Sequence, residues 1–469
     1  MDFFSSVISG ISNAMYSYIL IILLVAGGLF FTFRSRFAQF RLFGEQIKAV
    51  TDKPSDGKSV SSFQALMVST ASRVGTGNII GVSTALCLGG FGSVLWMWII
   101  AVIGSASALI ESTLAQIYKK KGADGECYGG PAYYIETALR NRPLAVVFSL
   151  LLILTYGVGF NMLASYNLQS TFSAYDFYDE RKTPWIIGFI VAAVVCYCLI
   201  GGGKRILKIT GVMVPVMGVV YVLVSAIIIA LNIKALPDVF ARIFNEAFDF
   251  EAIFGGFSGS CVMFGIKRGL FSNEAGVGSA PNASASAEVS HPIKQGLVQV
   301  LSVFIDTVLI CSATAFMCMC SGVEPAEELS GAPYVQQALS SVFGSFGPAF
   351  ITAAMILFAF TTLIGNLYYV DRCWLFLFKK MPGKKFMTAY RIAASVIIFV
   401  GAGLSAGLLW DIADVMMGLM TIINVPVIFI LGKYVYRALK NYEEQRRQGV
   451  DPVFRAKDIE LPHEVDYWK

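Results

Sequence analysis

Val68 to Ala85 reads V-S-T-A-S-R-V-G-T-G-N-I-I-G-V-S-T-A. The stretch lies in an apolar run long enough to cross a bilayer, yet Val74-Gly75-Thr76-Gly77-Asn78 is poor helix material. Two glycines around a threonine, followed by asparagine, favour an unwound backbone partway through the run. In lipid, unwound backbone is tolerated only where protein buries it or where it lines a cavity. The break therefore reads as half of a substrate and ion site. The competing explanation is that Gly75, Gly77 and Gly81 serve only to let a neighbouring helix pack closely.

Composition supports the membrane reading. Of 469 residues, 56% are hydrophobic and 14% charged, and the mean hydropathy is +0.66. An ordinary soluble domain carries about 25% charged residues. The chain reads as an all-α polytopic membrane protein, so its net charge of +5 reflects topology and not nucleic-acid binding. Most of the nine cysteines fall in apolar helices, and Cys196/Cys198 and Cys318/Cys320 are spaced so that they point apart on a helix. With only His291 and His463, both outside expected spans, a membrane enzyme built on histidine is disfavoured. No organic cofactor is expected.

Apolar runs near 20 residues match a hydrocarbon core. They predict eleven spans, at about 14–33, 61–88, 92–118, 144–168, 184–201, 207–231, 252–272, 295–320, 346–371, 388–408 and 412–436. Loop charges order them. Arg34, Arg36, Arg41, Lys48, Lys53 and Lys58 follow the first span, and Lys119, Lys120, Lys121, Arg140 and Arg142 the third. Lys204, Arg205 and Lys208 follow the fifth, Lys267, Arg268 and Lys294 the seventh, and Arg372, Lys379, Lys380, Lys384, Lys385 and Arg391 the ninth. The even-numbered loops hold only Arg181, Lys182, Lys234 and Arg242. Positive loops stay inside, which predicts an extracellular N-terminus and a cytoplasmic C-terminus in the cell membrane. Residues 1–60 then form an extra helix and loop, 61–231 a first five-helix unit, 232–436 a second unit of opposite orientation, and 437–469 a cytoplasmic tail, either a solvated helix or a loose segment. Paired helix interruptions in inverted units mark transporter sites. Gly255-Gly256-Phe257-Ser258-Gly259-Ser260 is the expected partner of the first break.

At these residues the sequence resembles the alanine/glycine:cation symporter family of sodium-coupled amino-acid carriers. The resemblance rests on S-R-V-G-T-G-N-I at 72–79, G-G-F-G-S-V-L-W-M-W at 89–98 and D-G-E-C-Y-G-G-P-A-Y-Y at 124–134. It extends to R-G-L-F-S-N-E-A-G-V-G-S-A-P at 268–281 and F-I-D-T at 304–307. It implies a leucine-transporter-like 5+5 inverted repeat with one additional N-terminal helix. In span nine the family tryptophan lining the amino-acid pocket is replaced by Asn366, and in span four a family glutamine aligns with Ala164. Both departures enlarge the pocket and predict tolerance for a larger or more polar side chain, such as glutamine, serine or threonine.

An amino acid is a zwitterion, and both its charges need partners in a low-dielectric site. A half-helix starting after the break offers N–H groups and a positive dipole end to a carboxylate; Thr76, Gly77 and Asn78 stand there. The resemblance assigns sodium to the carbonyls of Ala71 and Val74 and the hydroxyls of Thr361 and Thr362, with Thr362 also near the substrate. A threonine on a membrane helix otherwise bonds back to its own helix. Gly256 and Phe257 are expected in the second half of the site, with Phe257 capping the substrate side chain and Asn366 setting selectivity. Arg73, costly inside a span, is expected in an ion pair with Glu111 or Asp306, and Arg268 with Glu274 in a cytoplasmic closure network. One sodium ion falling through about 100 mV supplies about 2.3 kcal/mol, and a tenfold gradient roughly 1.4 more. One cation per neutral amino acid thus suffices for import; a proton-coupled carrier is the alternative, and a channel lacks a filter motif.

Overall fold

The computed structural model describes residues 2–52, 54, 59–122, 125–200, 202–249, 251, 253, 256, 260–462 and 464–468. In chain order the principal helices are α1 (Ser5–Arg34), α2 (Ser62–Arg73), α3 (Val82–Gly89), α4 (Ser93–Ile117), α5 (Arg142–Ala174), α6 (Thr183–Ile200) and α7 (Lys204–Leu231). They continue as α8 (Cys261–Asn273), α9 (Pro281–Ser284), α10 (Pro292–Met319), α11 (Phe346–Phe378), α12 (Lys384–Gly401) and α13 (Ala406–Arg447). Among the described residues, eight of these are continuous helices long and apolar enough to cross a membrane: α1, α4, α5, α6, α7, α10, α11 and α13. Of the other three expected segments, 61–88 holds the interrupted pair α2/α3, 252–272 overlaps α8, and 388–408 overlaps α12, which opens on Lys384 and Lys385.

Local chemistry sets the element ends. A capping box starts α2, in which Ser61 Oγ accepts from the Gln64 N–H and Gln64 Oε1 from the Ser61 N–H. Ser260 caps α8 through the Met263 N–H, and His291 Nδ1 accepts from Ile293 N–H at the start of α10. α7 turns Val212, Val216, Val219, Leu223, Ile227 and Leu231 outward, an apolar stripe suited to lipid. Deep in the layer α4 and α10 approach closely, since a Cβ on Gly296 would fall 2.8 Å from the Leu109 carbonyl oxygen. α2 is laced to α10 by Gln295–Ser62, Gln299–Ser69 and Thr70–Ser302 hydrogen bonds of 2.8, 3.0 and 3.3 Å.

The helical layer has two faces. The vestibule face carries the start of α1, residues 175–183, the short helix Ala332–Phe343 and the 402–405 turn. The tail face carries residues 35–51, the 285–291 segment and the chain end.

The second interruption is expected at 255–260. Most of 252–259 lies outside the described residues, Phe257 included. Gly256 is exposed, with nothing within 4 Å of a built Cβ. Among the described residues a break spans Glu274 to Ala280, between α8 and α9, opening with Glu274 at φ +52°. Lys267 and Arg268 accordingly sit within α8 and do not follow the span. Of the two readings of the tail, the helix is seen as far as Arg447, and beyond it Phe454, Ile459, Val465 and Trp468 are buried, so that part is not a loose solvated segment.

Candidate functional site

The first break is held by its own side chains. α2 ends at Val74, whose ψ of 86° leaves the helical region, and winding resumes through a wide π-type turn at Gly77–Gly81. Asn78 folds back so that its Oδ1 accepts from the Gly75 N–H at 2.8 Å, while its Nδ2 donates to Asp306 Oδ1 at 2.7 Å. Asp306 also accepts from Ser272 Oγ and, at 2.9 Å, from Thr307 Oγ1. This buried carboxylate thereby joins the first break to the end of α8. The Asn78 side chain serves as scaffold here, and its backbone N–H donates to the Gly75 carbonyl at 3.2 Å. Thr76 Oγ1 accepts from Asn167 Nδ2 at 3.1 Å.

Thr362 and Thr361 divide. The Thr362 hydroxyl reaches across to donate to the Ala71 carbonyl at 3.2 Å. Gly75 completes the contact, because a Cβ there would lie 2.0 Å from Thr362 Oγ1. A carbonyl and a hydroxyl converge beside a backbone cradle that any side chain would fill, a hard-oxygen setting that suits sodium. Thr361 turns away and donates to Leu357 and Phe358 carbonyls of its own helix at 3.0 and 3.1 Å. The expected ligand role of Thr361 is therefore not supported by its geometry. Among the described residues no cluster of three His, Cys, Asp or Glu side chains is poised for a metal ion.

Asn366 is wholly buried in a polar ladder. Its Oδ1 accepts from Ser72 Oγ at 2.7 Å and its Nδ2 donates to Asn161 Oδ1 at 3.0 Å. Ala164 is buried on the same helix as Asn161. Beyond them Glu274 Oε2 accepts from Ser279 Oγ at 2.6 Å, and its Oε1 lies 3.5 Å from Ser72 Oγ. The second break is tied down by Glu111, which accepts from the Gly276 N–H and from Asn424 Nδ2, at 3.4 and 2.8 Å.

Aromatic rings cover the first break from the vestibule side. The Phe271 ring lies 2.7–2.8 Å from where a Gly77 Cβ would sit, and meets Phe160 at a tilt and Trp410 edge-on, at 4.9 and 4.8 Å between centroids. Above it opens a cavity of about 820 Å³ whose lining includes Asn167, Thr84, Arg268 and Trp410. Asn167 thus touches both the cavity and Thr76. Phe257 lies outside the described residues, and Phe271 is the ring that the described residues bring against Gly77. The stretch R-G-L-F-S-N-E-A-G-V-G-S-A contains it, but Glu274 makes that stretch look like a loop.

The buried cations also differ from expectation. Arg73 donates to Gln299 Oε1 at 3.0 Å, and neither Glu111 nor Asp306 lies within ion-pair distance of it. Its Nε and Nη2 are buried without a hydrogen-bond partner. Arg268 pairs with Asp414 at 2.7 Å on the vestibule face, joined by Lys267 at 3.0 Å. Arg268 and Glu274 therefore do not form one closure network on the tail face.

The sodium:alanine symporter family model matches residues 1–456. The amino-acid carrier protein AlsT of Bacillus subtilis (strain 168) is 41% identical over 469 residues, covering 100% of this chain and 98% of that protein. The probable sodium/glutamine symporter GlnT of the same organism is 43% identical over 464 residues, 98% and 95% of the two chains. Among solved structures, MhsT in complex with L-phenylalanine superposes with a TM-score of 0.59 at 14% identity, over 83% of this chain and 92% of that one. At that identity the likeness is one of fold, of the leucine-transporter type.

Proposed function

Because the chain belongs to the sodium:alanine symporter family, and so is a sodium-coupled amino-acid transporter of the membrane and not an enzyme, we propose that it imports a neutral amino acid by alternating access. The observation that carries this reading is the meeting of Ala71, Gly75 and Thr362 at the first break, one step from the vestibule through Thr76 and Asn167. Sodium is held by the Ala71 and Val74 carbonyls and the Thr362 hydroxyl. The substrate carboxylate takes the N–H groups at Thr76 and Gly77, and Phe271 covers the bound molecule. The eleven-span, 5+5 inverted-repeat reading fits two interrupted helices, the first at Val74–Thr76 and the second at Glu274–Ala280. On positive loop charge, the tail face is cytoplasmic.

Alanine or glycine is the family default. An amide at Asn366, where the family pattern has tryptophan, supports glutamine, serine or threonine as further substrates, in keeping with the similarity to a protein named as a sodium/glutamine symporter. Proteoliposome uptake of labelled alanine, competed by all twenty amino acids, tests this. Accumulation that persists without a sodium or proton gradient would sink the coupled reading, and an unchanged competition profile in Asn366→Trp would sink the selectivity assignment. Proton coupling is the second reading. It is favoured by three wholly buried carboxylates, Glu111, Glu274 and Asp306, which share the field of Arg73 with no ion pair closed within 4 Å among the described residues.

A further inference from the structure

The chain end does more than follow α13. After Gly449, at φ +78°, it turns back beneath the tail face. Ser290 Oγ donates to the Pro452 carbonyl at 2.8 Å, and the Phe454 N–H donates to the Ser290 carbonyl at 2.9 Å. Lys294 pairs with Asp451 at 2.9 Å and with Asp52 at 2.7 Å. Further along, the Trp468 indole N–H donates to the Gln116 carbonyl at 2.7 Å. Lys119, wholly buried, lies 3.9 Å from the Tyr467 ring centroid and 4.9 Å from that of Trp468. Burial lowers its amine to about 8, so it is still mostly a cation at neutral pH.

What these residues hold is the tail-side end of the two interrupted helices. Lys119 Nζ donates to the Ala287 carbonyl at 2.9 Å, and Gln116 Nε2 donates to the Ser284 and Ala287 carbonyls. Ala287 also bridges Val60, just before α2, and the Glu288 N–H donates to the Val60 carbonyl at 2.9 Å. The tail-side ends of both interrupted helices are therefore joined to each other at 60 and 287. The tail presses on that junction from both sides, through Ser290 and through Gln116 and Lys119.

We propose that residues 450–462 and 464–468 form a strap that keeps the tail-side gate shut, with Trp468 and Tyr467 as its buckle, and that the strap must release each time the carrier opens to that face. The inference rests on the alternating-access reading, and its tests separate the two. Trp468→Ala, followed by hydrogen exchange, reads the strap without any transport. Exchange at 285–291 is expected to accelerate about tenfold while 95–110 stays protected, and unchanged exchange at 285–291 overturns the proposal. The second test uses Ser290→Cys with Pro452→Cys, in a background where the half-buried Cys87 and Cys196 are serine, joined by a short thiol-cleavable linker. The linked protein is expected to bind substrate with sodium but lose uptake, and reductant is expected to restore it. Linked protein that transports as fast as reduced protein overturns the strap. Absence of uptake in the reduced protein would instead indict the transport reading.

Discussion

At the residue scale the sodium assignment turns on a single pair of neighbours. Thr361 and Thr362 are adjacent, and a helix separates consecutive side chains by about 100°. Sequence cannot say which hydroxyl faces the break, and both were expected to. The structure decides by distance, since Thr362 reaches the Ala71 carbonyl and Thr361 satisfies itself on Leu357 and Phe358. Thr362→Val is therefore expected to weaken the sodium dependence of uptake by about tenfold to a hundredfold, the range seen when a metal-site partner is lost. Thr361→Val should change it little. The measurement is the sodium concentration for half-maximal uptake in each variant, and equal effects would contradict the division. Gly75→Ala belongs with Thr362→Val, because its Cβ would collide with the same hydroxyl at 2.0 Å.

At the scale of elements, the first interruption was legible and the break from Glu274 to Ala280 was not. Val74 to Asn78 is glycine-rich inside an otherwise apolar run, so its break shows in composition. The second run was placed at 252–272 because Glu274 and Asn273 look like a polar loop. Inside the fold they are buried and bonded, Asn273 to the Ala275 N–H and Thr307, and Glu274 to Ser279. Long-range partners hide their polarity, and a single sequence does not display them. Glu111 is the clearest case, holding Gly276 and Asn424 from another helix. Glu111→Leu is expected to lower stability by on the order of 1–2 kcal/mol, read as a fall in thermal midpoint of the detergent-solubilised protein, whereas Glu111→Gln keeps an acceptor and should cost less. Equal midpoints for Glu111→Leu and wild type would refute the tie. His291, capping α10 outside the membrane layer, gives a pH test. Burial pushes its imidazole down to about 3, reinforced by Lys294 and opposed by the Asn441 hydrogen bond and Asp451. The unfolded chain, with an ordinary histidine, binds more protons between pH 3 and about 6.5, so stability falls as pH drops through that window. Proteolysis of the 450–468 region should accelerate from pH 6.5 to 4 in wild type, with a weaker pH dependence in His291→Gln. Identical profiles would remove His291 from the account.

For the whole molecule, the two faces are unequal: a cavity of about 820 Å³ opens on one, and the chain end packs across the other. Charge gives this asymmetry a direction, because Arg34, Arg36, Arg41, Lys48 and the cations of α13's far end gather on the tail face. That direction is a proposal from alternating loop charge, which needs no tertiary knowledge. What charge could not show was the closure, which depends on Trp468 meeting Gln116 across 352 residues. A membrane-impermeant maleimide applied to intact cells tests the direction, again with Cys87 and Cys196 replaced by serine. Ser173→Cys, exposed at the vestibule rim, is expected to label directly. Lys440→Cys, exposed on the last helix beyond the membrane layer, should label only after permeabilisation, and the reverse pattern would invert the proposed topology. Thr84→Cys adds the transport cycle to the same experiment, because Thr84 lines the cavity above the Phe271 lid. If sodium and substrate close that vestibule, saturating amounts of both should slow labelling at Thr84→Cys and leave Ser173→Cys unchanged. Equal rates with and without ligand would show that the cavity lies off the transport path.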